Sequence, residues 1–330
     1  MAPTLPIELK LYIIELAAPP LSTSSDPTPR NALLGRLALV DSTWHTAVKA
    51  EHFTRLPLNV TRRGKDVARR NRERLSALSL TATAVRGFDL TFFGDQLSLD
   101  QAIVQEATVH LLRSFPGLEE LVLRKAWLAP AALLCYEQFP VLKRLTILGG
   151  SVKSSLPSTL SFLSLDDALV FQWPPASSLP NLDTLLIRRS KLGVAQHSFL
   201  HSIFRSAPRL RVLGLQDLDE ADWGFDLLPS SLRHVCVSSV ALVGSRDGEG
   251  EGEAELLRQA RALPVEVRSV TIRLASVEGV DGQQELSEWA AGKEIDLRME
   301  QAEEGDLDLE EWAESRREKR RPWTVVCPSL

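Results

Sequence analysis

Cysteine is scarce here: Cys135, Cys236 and Cys327 are the three in 330 residues, with no C-x-x-C pair and no even framework. That excludes a disulfide scaffold and a cysteine-based structural zinc site, and it fits a reducing compartment in which all three are buried thiols. Long apolar runs are missing too. The longest uncharged one, Ala126 to Tyr136, falls well short of the ~18 residues a membrane span needs, and Glu8 and Lys10 interrupt the N-terminal apolar pattern. Neither membrane insertion nor secretion is expected, so the cytosol or nucleus is the expected location and the Asn59-Val60-Thr61 sequon has no chemical consequence. Charge of one sign is also lacking. With 38 basic and 43 acidic residues the net charge is −5, too balanced to draw nucleic acid or an anionic membrane by bulk electrostatics. Finally, no G-x-S-x-G, phosphate-binding loop, dinucleotide fingerprint or H-E-x-x-H occurs. Of the six histidines, His45, His52, His110, His197, His201 and His234, only His197 and His201 share a helical i, i+4 spacing, and no third ligand lies nearby in sequence. No enzyme activity, cofactor or metal is expected.

What the chain has in abundance is a repeat. Pro116 precedes Leu118, Leu121 and Leu123 in an L-x-x-L-x-L frame, and this returns as Pro140 with Leu142, Leu145 and Ile147, and as Pro157 with Leu160, Leu163 and Leu165. Further copies begin at Pro180, Pro208, Pro229 and Pro264; Val85, Phe88 and Leu90 form an irregular opening unit without the proline. The x-L-x-L half alternates with period two, as a half-buried strand does, and the proline stops a helix from running through it. First-leucine positions 118, 142, 160, 182, 210, 232 and 267 lie 24, 18, 22, 28, 22 and 35 apart. The frame resembles a leucine-rich repeat, whose period is ~20–29 residues. The asparagine slot of that family holds Ala126, Gly150, Ala168, Ser190, Leu218, Val240 and Ala275, so the turns are expected to be irregular. Helices are expected between strands, around Val104 to Phe115, Phe199 to Ala207 and Leu256 to Leu263. Stacked strand–helix units bury one continuous core.

Ahead of the array, Leu5 to Ala17 reads as a short amphipathic helix with Pro6 at its first position. Pro19 to Arg30 reads as a loop, and a second helical pattern runs from Asn31, a candidate N-cap, to Phe53. Leu5-Pro6-x-Glu8-Leu9, then Ile13-Ile14, then Leu37-Ala38-Leu39-Val40-x-x-x-Trp44-His45, then Phe53, resembles an F-box, in a form common among fungal proteins; only the Pro19–Arg30 loop is longer than usual. The resemblance implies docking on the Skp adaptor of a cullin-based ubiquitin ligase through Leu5, Pro6, Glu8, Leu9, Ile13, Ile14, Leu37, Val40 and Trp44. A domain of ~50 residues buries too little to be robust alone, which suits an obligate partner.

The expected fold is therefore α/β: a small N-terminal helical F-box-like domain (1–55), a linker with a basic patch (56–84), an irregular leucine-rich-repeat strand–helix solenoid (85–298) and a charged C-terminal tail (299–330). The patch at Arg62 to Arg74 has no interleaved aromatics and reads as a solvated face, with nuclear import or phosphate contact as the alternative. Arg246 to Glu253 alternates carboxylates with glycines without the ligand order of a calcium loop, and reads as a flexible acidic insertion. The tail, acidic over Glu303 to Glu314 and basic over Arg316 to Arg321, reads as exposed, with a helical conformation open to it and nuclear import through Arg316, Arg317, Lys319, Arg320 and Arg321 as the alternative role.

Residues alternating with the repeat leucines point to the inner face of the array. There Arg124, Arg144 and Arg188 stand beside Leu148, Phe162, Leu186 and Val212, the composition of a protein-recognition hot spot, unless a tail or helix covers the face. The expected function is that of a substrate-recognition subunit of a Skp–cullin–F-box ubiquitin ligase, which accelerates transfer by proximity and needs no nucleophile of its own. A leucine-rich scaffold, or an adaptor-bound protein with no ligase role, stays open. The partners expected are a Skp adaptor, through it a cullin, and a target protein; nucleic acid and membrane are not among them.

Overall fold

The structure is a computed structural model that describes residues 5–17, 28–52, 55–60, 87–92, 115, 117–125, 139–152, 156–170, 179–192, 202–216, 228–238, 263–264, 266–274, 283–301 and 309–316. It is an α/β chain. Three helices come first, α1 (Ile7–Ala17), α2 (Thr28–Ala38) and α3 (Ser42–His52). The strands follow: β1 (Arg55–Val60), β2 (Gly87–Phe92), β3 (Glu120–Arg124), β4 (Arg144–Val152), β5 (Phe162–Val170), β6 (Thr184–Arg188), β7 (Lys191–Leu192), β8 (Val212–Gln216), β9 (His234–Ser238) and β10 (Ser269–Leu274). Helix α4 (Gln283–Gly292), strand β11 (Asp296–Gln301) and helix α5 (Leu309–Arg316) complete the described elements, with a further helical turn at 202–206. All eleven strands form one parallel sheet in chain order, except that the two-residue β7 lies off this path and pairs with the end of β5.

Each repeat enters its strand through the same turn. The N–H of Leu118, Leu142, Leu160, Leu182, Leu210, Leu232 and Val267 donates to the carbonyl three residues earlier, at 3.0–3.2 Å. Pro140, Pro180 and Pro208 occupy the second position of such turns, where a fixed φ is favourable. The repeats are then knitted together at the strand start: the Lys143 carbonyl, for example, accepts from both Ser161 and Phe162, and the Arg211 carbonyl from both Arg233 and His234.

Register follows the frame residue for residue. Leu121, Leu145, Leu163, Leu185, Leu213, Val235 and Val270 stand side by side, as do Leu123, Ile147, Leu165, Ile187, Leu215, Val237 and Ile272. All are buried in one core that also takes in Phe88, Phe115, Ile203 and Phe204, with Leu286 and Ala290 of α4 closing it near β11. Phe88 meets Phe115 edge to face at 5.0 Å between ring centroids, so the proline-less opening unit joins the same core.

In four neighbouring repeats the backbone bends more regularly than the missing asparagines predict, just past β3 and β6 and within β4 and β5. Lys125, Gly149, Asp167 and Arg189 occupy one register position and share a left-handed backbone, with φ of 54°, 66°, 50° and 44°. A backbone device thus replaces a side-chain ladder in these repeats. Ser190, in the slot one residue on, adds a remnant of the ladder: its hydroxyl accepts the Ala168 N–H at 3.2 Å and donates to the Arg188 carbonyl at 2.8 Å. Ser190→Ala should therefore lower the unfolding free energy by about 1–2 kcal/mol, read as a lower urea midpoint at unchanged slope, because the buried Ala168 N–H loses its side-chain acceptor.

Two further expectations are corrected. The helix expected from an N-cap at Asn31 to Phe53 is two helices, the first beginning already at Thr28 so that Asn31 lies inside it, and the break at Leu39–Asp41 arises because the Asp41 carboxylate caps a new N-terminus, accepting the N–H of Thr43 and Trp44 at 2.7 and 2.8 Å. The tail boundary at 298 falls inside β11, and the segment expected to be exposed contains α5, whose Leu309, Trp312 and Ala313 are buried. The basic patch, the acidic insertion, the helices expected around Val104 to Phe115 and Leu256 to Leu263 apart from their last residues, and His197 and His201 lie outside the described residues.

Candidate functional site: an apolar helical surface and a covered sheet face

Among the described residues, large apolar side chains that remain exposed fall almost wholly within residues 5–40: Leu5, Ile7, Leu9, Leu11, Tyr12, Ile13, Leu16, Leu39 and Val40, with Val141 the one exception. The fold explains why they are left over. Among the described residues, Ile14, Leu34, Ala47 and Val48 form the buried apolar core of the three helices, with Leu33, Leu37, Ala38 and Trp44 packed partly against it. Lys10, 1% exposed, ties α1 to α3: its Nζ donates to the Thr43 hydroxyl, lies 3.5 Å from the Asp41 carboxylate and sits 5.3 Å from the Trp44 ring centroid. The Thr43 hydroxyl, the Trp44 and Thr43 N–H groups and Lys10 hold the Asp41 carboxyl down at about 2.

The sequence-predicted adaptor residues divide on this surface. Leu5, Pro6, Glu8, Leu9, Ile13 and Val40 are exposed, Leu37 and Trp44 are half-buried, and Ile14 is core. Lys10 is the member that sequence reasoning missed, since a lone lysine among leucines reads as an interruption rather than a tie.

The sheet face opposite the leucines carries three rows of side chains, one per register level. The first level runs Glu120, Arg144, Phe162, Thr184, Val212, His234; the second Val122, Thr146, Ser164, Leu186, Gly214, Cys236; the third Arg124, Leu148, Asp166, Arg188, Gln216, Ser238. Thr271 and Arg273 of β10 continue the second and third. Arg144 is consequently four residues, or ~13 Å along the strand direction, from the level of Arg124 and Arg188. The three arginines do not form one cluster. Arg124 forks onto the buried Asp89 of β2 at 2.9 and 3.1 Å, Arg144 lies 4.0 Å above the Phe162 ring centroid, and Arg188 is half-buried.

Helix α5 covers the middle of this face. Leu309, Trp312 and Ala313 pack with Phe162, Leu186, Val212 and Cys236, while Leu148 stays half-exposed to the side. Arg144 reaches Glu314 at 2.7 Å and Glu120 at 3.7 Å, the Thr146 hydroxyl donates to Glu310 at 3.5 Å, and Arg316 lies 3.8 Å from Asp296. Gly214 makes the seat: a Cβ there would stand 3.2 Å from a Leu309 methyl. Burial pushes the Cys236 thiol up to about 12, so it is unreactive while α5 is in place.

The balance of this contact is narrow. Burying Leu309 and Trp312 contributes about 1.5–3 kcal/mol each, whereas the Trp312 Nε1 and Arg316 Nε groups are buried without hydrogen-bond partners at about 1–3 kcal/mol each. The half-exposed Arg144–Glu314 pair adds at most about 1 kcal/mol.

No protein-family model matches the chain, and no curated protein matches it. Among the described residues no helix is long and apolar enough to cross a membrane, and no group of three or more His, Cys, Asp or Glu side chains could hold a metal ion.

Proposed function

We propose that the chain is a substrate-recognition subunit of a Skp–cullin–F-box ubiquitin ligase: residues 5–52 act as the F-box that holds a Skp adaptor, and the strand array acts as a leucine-rich-repeat solenoid that holds a target protein. The observation that carries this reading is the concentration of exposed apolar side chains on the small helical bundle. Such a patch marks a protein-interaction site, and it includes Leu5, Leu9, Ile13 and Val40, which the F-box resemblance assigns to the adaptor. The apolar core of the bundle is small among the described residues, so an adaptor that buries its outer surface would also stabilise it. The chain contributes no chemistry in this role. It raises the effective concentration of the target's lysines near a conjugating enzyme carried elsewhere in the complex.

Co-purification with a Skp adaptor tests the reading. The parent chain should retain adaptor and cullin, and a chain carrying Leu5→Ala, Pro6→Ala and Ile13→Asp should lose both with the thermal unfolding of its sheet unchanged. Failure of the parent chain to hold the adaptor removes the ligase role; adaptor without cullin leaves an adaptor-bound protein outside the ligase.

A further inference from the structure

We infer that the sheet face under α5 is a receptor for an acidic amphipathic helix, and that α5 is its resident occupant, exchanged for a matching helix of the target protein. This rests on the reading that the array captures a target, and it specifies the class of target. The geometry is that of a helix laid in a groove. Leu309, Trp312 and Ala313, at i, i+3 and i+4, form one buried stripe, and Glu310 and Glu314, at i+1 and i+5, form an acidic flank that meets Thr146 and Arg144 of β4. Gly214, the one residue of its level without a side chain, opens the hole that receives Leu309. A helix with a large aliphatic residue, an aromatic three positions later, a small residue after that and carboxylates beside them therefore fits this face.

The same interface shows why α5 is exchangeable. Every buried side-chain nitrogen or oxygen without a hydrogen-bond partner among the described residues lies on α5 or on this face: Trp312 Nε1 and Arg316 Nε above, Arg188 Nε, Gln216 Oε1, Ser238 Oγ, Thr271 Oγ1 and Arg273 Nε below. Arg188, Gln216, Ser238 and Arg273 occupy one register position on four neighbouring strands, so these atoms form a continuous strip, relieved at its end only by the ion pair of Arg273 Nε with Glu300 at 3.7 Å. Among the described residues, the core on the leucine side has no such atoms. Most of the strip donates hydrogen bonds, and an occupant richer in carboxylate or amide oxygens along that edge satisfies what α5 leaves unmatched.

The test uses the full chain and a fluorescent peptide of residues 303–318. A chain carrying Leu309→Asp and Trp312→Asp should keep a cooperatively unfolding sheet and bind the peptide saturably, at least tenfold more tightly than the parent chain, whose face is occupied. A peptide carrying Glu314→Arg should bind that chain at least threefold more weakly, and adding Arg144→Glu to the chain should restore it. Loss of the cooperative transition in the released chain would make α5 an integral part of the core and overturn the inference. So would a folded released chain that does not bind the peptide, or binds it without the charge-swap dependence. Adaptor co-purification of the same chains reads the N-terminal helices separately: lost adaptor binding with intact peptide binding removes the ligase role alone.

Discussion

Replacing Leu185 by alanine should lower the unfolding free energy by about 2–5 kcal/mol, the largest effect of any single conservative truncation proposed for this protein. Leu185 stands at the centre of the row from Leu121 to Val270, fully buried, with Leu163 on one side and Leu213 on the other. The neighbouring backbones are fixed by ladder hydrogen bonds on both sides, so they cannot close over the space the side chain leaves. Destabilisation thus includes the cavity as well as the lost transfer energy. The exposed ion pair between Lys143 and Glu119, at 2.9 Å, supplies the contrast: Lys143→Ala should change stability by less than about 1 kcal/mol. Chemical unfolding of both variants checks the pair. Equal losses would mean that the leucine row does not dominate the stability of the sheet.

Gly214→Val should have the second large effect, and on a different property. A Cβ at 214 would stand 2.9 Å from a Leu186 methyl and 3.2 Å from a Leu309 methyl, and valine adds two further methyl groups beside it. Both neighbours are side-chain ends, so the sheet accommodates the change; the residue that must retreat is Leu309, on the element held by the narrowest balance. Cys236 reports the result. Its thiol is pushed up to about 12 from an ordinary value of 9.0 chiefly by burial, so regaining the ordinary value at pH 8 raises the thiolate population on the order of a thousandfold. Iodoacetamide labelling of Cys236, followed by site-resolved mass spectrometry, should accelerate by at least tenfold and up to that factor, while the cooperative unfolding of the sheet persists. An unchanged labelling rate would show that Leu309 does not depend on the glycine seat.

The strands from β3 to β10 were legible because two independent signals coincide on the same residues. Period-two leucines select the buried face, and the proline-led turn fixes where each strand begins, so the register of Arg144 against Phe162, or of Leu186 against Gly214, follows from the frame. Phe88 and Leu90 fitted despite lacking the proline, since the alternation alone is enough to place them in the core. The left-handed positions were hidden. Lys125 and Arg189 carry no residue preference that marks positive φ, and only Gly149 and, more weakly, Asp167 give a sequence cue. A cover on the second face was open as an alternative, but which segment supplies it was hidden for another reason. Leu309 and Trp312 lie among acidic residues, and their partners Phe162, Leu186 and Val212 are more than ninety residues away, beyond any local periodicity. At the N-terminus, Asp41 split one expected helix into two, because a single capping carboxylate outweighs a continuous apolar pattern.

The strict chain order of the sheet has a consequence in time. Each strand can pair with its predecessor as soon as it leaves the ribosome, so the leucine side is buried progressively. The other side waits. Phe162 precedes Leu309 by 147 residues, which at about 5–20 residues per second leaves its apolar neighbourhood bare for roughly 7–30 s. During synthesis every molecule passes through an interval in which this face is open to whatever helix is near, before its own arrives.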